Sequence, residues 1–213
     1  AVASVFLGIG AYVLMMLRVL LPRFYAKTYT PIEPIQQIQS NFSLEEKAKR
    51  VELICRMAGL YKAETFPKFV FVVSHGSTTS NNPFRQAYGC GACSGNSGAP
   101  NSKLFCQFAN DTDVREYLSK KGFEIPLDVQ FASVHHDTCS DEVFFQTDLP
   151  EVETYKLALR KAAALNAQER LQKLQPRKRF SPKKAIENVK SRSLDLAQPR
   201  PEYGHSSVAM AVF

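Results

Sequence analysis

Residues 69–78 read FVFVVSHGST, and this stretch decides the fold. Phe69 to Val73 form a short, continuous run of aromatic and β-branched residues, which predicts a buried central strand. The strand ends at His75 and Gly76, then empties into small polar residues with glycines at 89, 91, 95 and 98. Downstream, SKLFCQFANDTDVREYLSKKG predicts helix from about Ser102, with a break near Asn110. Val129 to about His135 gives a second strand, and Pro150 to Leu174 a long helix with alternating charge on its outside. The final residues, HSSVAMAVF, are expected to close as a strand. Upstream, SLEEKAKRVELICRMAGL predicts a helix capped by Ser43 with Glu46 three residues later. Its expected apolar face is Leu53, Ile54, Met57 and Leu60. Helices alternating with strands around a loop-borne polar cluster give an α/β fold.

The first 17 residues, AVASVFLGIGAYVLMML, carry no charge before Arg18. That is short of the roughly 20 apolar residues of a membrane span. We expect a helix buried within a larger protein, with membrane contact as the alternative. Residues 1–40 are thus expected to form an apolar helix and connector, and residues 41–213 part of an α/β domain, with a basic C-terminal segment and the His and Cys residues considered next. The 213 residues are 45% hydrophobic and 22% charged, which excludes a disordered tail. Five cysteines, an odd number, exclude a dense disulfide scaffold. The net charge is +7, and residues 177–192 supply +6 of it, with seven cations against the single acid Glu187. That segment reads as a docking patch for an anionic surface or as a solvated face. No nucleic-acid motif accompanies it.

His75, Cys90, Cys93, Cys106, His135, His136 and Cys139 fall within residues 75–139. Thiolate and imidazole ligands together point to zinc. In one arrangement His75, at the carboxyl end of its strand, and Cys90, in the glycine-rich loop, are ligands. Two ligands do not complete a tetrahedral site, so at least one more must come from elsewhere. In a second arrangement Cys90, Cys93, His136 and Cys139 form a structural zinc site. In a third, Cys90 and Cys93 are a thiol–disulfide pair. Cys55, Cys106 and His205 read as packing residues, and Cys93 and His135 also fit that role.

The run FVFVVSHGSTTSNNPFRQAYGCGACSGNSGAPN and the downstream FEIPLDVQFASVHHDTCSDEV resemble the DabA family, the large subunit of a bacterial inorganic-carbon transporter. LEEKAKRVELICRMAGL, VREYLSKKG and RKRFSPKKAIENVKSRSLDLAQPRPEYG carry the same resemblance, from about residue 41 to the C-terminus. It implies a sheet core and zinc site similar to β-class carbonic anhydrases, with two Cys, one His and one Asp as ligands. Two of those roles fall on His75 and Cys90. The other two belong to a Cys-x-Asp-x-Arg motif that lies upstream in the family and does not occur in this chain, which begins with Ala. The chain is therefore expected to be a later portion of a longer protein, holding half of the zinc shell.

The resemblance further implies hydration of CO2 to bicarbonate within an energy-coupled uptake complex. The expected partner is a membrane-embedded, cation-conducting DabB-like subunit, reached from the cytoplasmic face of the inner membrane. Ser77, Asn81 and Asn82 are candidates for hydrogen bonds beside the metal. Two departures stand out: Gly89 replaces the acidic residue usual before CGAC, and Ser94 replaces a common glycine. The alternatives are a structural-zinc interaction module and a member that has lost its activity.

Overall fold

A computed structural model describes residues 2–21, 40–78, 96–147 and 150–192. The connector after Pro22 and the strand expected over residues 205–213 lie outside the described residues. The elements in order are α1 (Val2–Leu20), α2 (Leu44–Met57), β1 (Phe69–Gly76), α3 (Ala99–Asn110), α4 (Thr112–Lys120), β2 (Gln130–Asp137), β3 (Val143–Phe145), α5 (Glu153–Leu174) and α6 (Pro182–Arg192). Single 3-10 turns stand at Ala63–Thr65 and Pro150–Val152. This is a mixed α/β arrangement.

The start of α2 is the expected capping box. Ser43 Oγ accepts the Glu46 N–H at 3.3 Å, and Glu46 Oε2 accepts the Ser43 N–H at 2.9 Å. The buried face differs from expectation. Ala48, Val51 and Cys55 are buried, while Leu53 and Ile54 are exposed. The helix presents small residues because the bulk in this core comes from its neighbours, Phe105, Phe108, Leu118, Phe123 and Phe131. The break between α3 and α4 falls at Asp111, whose carboxylate caps α4 by accepting the Asp113 N–H at 2.9 Å. Beside it, Asn110 clamps β2: its Nδ2 donates to the Phe131 carbonyl at 2.8 Å and its Oδ1 accepts the Phe131 N–H at 3.0 Å.

Among the described residues the sheet has the order β1-β2-β3, with β1 and β2 parallel and β3 antiparallel to β2. Among the described residues β2 therefore lies between β1 and β3. The run of β1 is apolar on both faces because both are covered. Val70 and Val72 pack on the cluster beneath α2 and α3. Phe71 lies 5.2 Å from the Tyr155 ring of α5 and 5.6 Å from the Phe145 ring of β3. Only Val73 emerges into solvent.

Cys55 and Cys106 are buried in the same cluster, and burial pushes both thiols up to about 12. A thiol with that value carries almost no thiolate at neutral pH. Brief alkylation of the folded full-length protein followed by peptide mass analysis should therefore leave Cys55 and Cys106 unmodified. Both should label once the protein is denatured, and rapid native labelling of either would contradict this core.

The N-terminal run does form a helix, α1, with Leu7, Tyr12, Val19 and Leu20 exposed. Among the described residues no helix is long and apolar enough to cross a membrane. At the other end, α5 and α6 pack as a hairpin through Ala167, Leu171, Ala185 and Val189.

Candidate functional site

The parallel register sets Ser74 opposite His135, His75 opposite His136, and Gly76 opposite Asp137. Polar side chains from two strands thus converge at one carboxyl edge, where α/β sheets expose ligand crevices. The chain passes Thr78, and after residues 79–95, which lie outside the described residues, it returns to the same place. There the Gly98 N–H donates to the His75 carbonyl at 2.9 Å. Gly76 is required by crowding: a Cβ there would stand 2.8 Å from His135 Cε1 and 3.0 Å from Ser97 Oγ.

Asp137 organises the turn that follows. Its carboxylate, 2% exposed, accepts four hydrogen bonds. Oδ1 takes the Thr78 N–H at 3.1 Å and the Cys139 N–H at 3.0 Å; Oδ2 takes the Thr78 and Ser140 hydroxyls, each at 2.6 Å. Both strand exits are thereby tied to one side chain. Asp141 follows with a left-handed backbone, φ 60°, a region that Asp tolerates better than most residues. Its Oδ1 meets His136 Nε2 at 3.2 Å and Arg170 Nη1, from α5, at 3.2 Å. Glu142 pairs with Lys190 of α6. The basic hairpin is therefore pinned to the sheet end by two ion pairs.

A second network is built from hydroxyls. The Ser74 hydroxyl donates to the Val134 carbonyl at 3.2 Å, and its oxygen accepts the Ser102 hydroxyl at 3.0 Å. Ser102 in turn lies 2.9 Å from Ser133, which donates to Gln146 Oε1 at 2.7 Å. His135 Nδ1 lies 3.3 Å from the same Ser74 Oγ and so joins this network. Burial holds the His135 imidazole below its ordinary value, with His136 and His75 adding to the effect and Asp137 opposing it.

The residues expected from the sequence are distributed as follows. His75 sits half-buried on the last turn of β1, and Ser77 lies just beyond it, with its Oγ 3.1 Å from Cys139 Sγ. His136 and Cys139 share the strand end, but His136 is engaged by Asp141 and Cys139 by Ser77. Asn81, Asn82, Cys90 and Cys93 lie outside the described residues. The expectation of a zinc cofactor is corrected: among the described residues no group of three or more His, Cys, Asp or Glu stands together to hold a metal ion. The physical reason is visible in the partners, since the strand-end acids are committed to hydroxyls, amides, Arg170 and Lys190 instead.

Asp137, Asp141 and Arg170 were not expected from the sequence. Asp137 and Ser140, three residues apart after a strand, carry the signal of a side-chain-closed turn. Arg170 carries none, because it reads as one more charge in a charged helix.

Residues 5–213 match the family model described as "Probable inorganic carbon transporter subunit DabA". The chain belongs to the DabA family. It is 39% identical over 176 residues to a DabA protein of Methylococcus capsulatus, covering 78% of this chain and 16% of that relative. It is 38% identical over 183 residues to DabA of Azotobacter vinelandii, covering 82% and 21%. With a DabA protein of Nitrobacter winogradskyi it shares 40% over 173 residues, covering 78% and 16%. The chain thus spans about a fifth or less of the length of these DabA relatives. No solved structure matches it.

Proposed function

We propose that this chain is the part of an inorganic-carbon transporter subunit that forms one wall of the site where CO2 becomes bicarbonate. The observation that carries the reading is the family match across residues 5–213, joined to a strand end where His75 stands beside both exits of the glycine-rich stretch. In the reaction the oxygen of water bonds to the carbon of CO2, a C=O π pair moves onto oxygen and the released proton passes to bulk water, giving an anion that its charge retains. His75 and Cys90 are the side chains on which this wall is proposed to depend, with Ser77, Asn81 and Asn82 as candidates for hydrogen bonds beside the reacting carbon. Residues of the longer protein complete the site. The strand pair is read as part of a sheet core similar to that of β-class carbonic anhydrases. The subunit works at the cytoplasmic face of the inner membrane, against a membrane-embedded cation-conducting partner.

The test uses the full-length protein, expressed with its partner subunit in bacteria that lack carbonic anhydrase. His75→Ala and Cys90→Ala should each abolish growth in air while leaving protein levels unchanged, and elevated CO2 should restore growth. Growth of the His75→Ala strain in air at the wild-type rate would sink the proposal.

A further inference from the structure

The seven cations of residues 177–192 do not all serve the same purpose. Lys190 pairs with Glu142, and Arg192 Nε donates to Asn188 Oδ1 at 2.8 Å, so these two are spent inside the fold. Arg177, Lys178 and Arg179 in the α5–α6 turn, with Lys183 and Lys184 in the first turn of α6, are all exposed. Among the described residues no ion pair holds any of these five. Lys183 and Lys184 also stand at the positive end of the α6 dipole, where cations are disfavoured and no acid offsets them. The corner is nevertheless held firmly from beneath by the buried Ala185 and Val189.

From this arrangement we propose that the α5–α6 corner docks onto anionic phospholipid headgroups. A protein partner would want an apolar or aromatic anchor at the centre of its contact. Here the only aromatic of the segment, Phe180, packs into the hairpin core. A small anion would want an enclosed pocket, and the depression lined by Gln175, Pro176, Arg177 and Lys178 is open to solvent. A layer of headgroup charge needs neither feature, only several cations on one rigid, exposed corner. The inference rests on the membrane placement proposed above and names the surface that makes the contact.

The test is co-sedimentation of the full-length protein with vesicles of phosphatidylcholine alone or mixed with phosphatidylglycerol. Binding should favour the anionic vesicles and fall as salt rises. Each cation replaced by Gln should weaken it about fivefold, so changing all five should weaken it roughly a thousandfold or more. Lys62→Gln with Lys120→Gln, on other exposed segments, should leave binding unchanged. Equal binding to neutral vesicles, or wild-type binding by the five-fold variant, overturns the proposal. Unaltered vesicle binding with lost assembly onto the partner subunit also overturns it, because the corner then reads a protein. Carbon-dependent growth is scored separately, so loss of the carbon-handling reading and loss of this one are told apart.

Discussion

Asp137→Ala should lower the stability of this portion by about 3–5 kcal/mol, a large share of the 5–15 kcal/mol that holds a typical domain. The estimate follows from what the carboxylate satisfies. Two N–H groups, those of Thr78 and Cys139, would lose their acceptor, at roughly 1–3 kcal/mol each. The Thr78 and Ser140 hydroxyls would lose theirs too, though hydroxyls can turn to other acceptors. Asp137→Asn should fall between, because an amide keeps one accepting oxygen and turns its NH2 toward groups that also donate. Hydrogen exchange of the full-length protein supplies the measurement: peptides containing Thr78 and Cys139 should lose protection in the order Asn, then Ala. Unchanged protection in Asp137→Ala would show that the carboxylate does not close the turn.

Arg170→Met should cost a comparable amount for a different reason. Asp141 is 1% exposed, and its Oδ1 is shared by Arg170 and His136. Removing one partner of a buried ion pair leaves a charge without compensation, at about 3–5 kcal/mol. Neutralising both should be milder than the sum of the single changes. Arg170→Met with Asp141→Asn should therefore recover much of the loss, and the denaturation midpoints of the four proteins form a double-mutant cycle. Strict additivity would mean that the pair contributes nothing as a pair. The cycle also bears on the site, since Asp141 orients His136 at the strand end.

Much of the frame was legible because its signals are local. Ser43 with Glu46 wrote the start of α2, the break expected near Asn110 falls one residue on at Asp111, and Pro150 marked the approach to α5. The strand β1 was legible, but what covers it was not. A continuous apolar run records that both faces are covered, and Tyr155 and Phe145 cover one of them here from elements far along the chain. Sequence cannot distinguish that cover from a flanking strand. The apolar face of α2 holds only in part, with Leu60 on the core and Leu53 and Ile54 off it, for a related reason. Size was taken as the mark of burial, whereas neighbours already crowded with phenylalanine left room for Ala48, Val51 and Cys55.

At the site, the cluster of His and Cys residues near the strand ends was visible, and His75, His135, His136 and Cys139 do gather there. The zinc expected among them does not follow, because a spacing says which residues are near in sequence and not which partner each has taken. His136 looked like a ligand and is an ion-pair partner; Cys139 looked like another and faces a hydroxyl. Asp137, the residue with most to hold, stood between them and drew no attention.

The pairing of His75 with His136 has a kinetic consequence. The two residues lie 61 positions apart, and the β1–β2 ladder keeps that separation throughout. Closing so long an intervening segment exacts its entropy before any strand contact returns stability, which slows folding. The α5–α6 hairpin downstream of that closure can draw on neighbours in sequence at once. In the nascent protein the polar strand end is thus assembled among the last features, and until then the apolar FVFVV edge awaits a partner that the ribosome has not yet supplied.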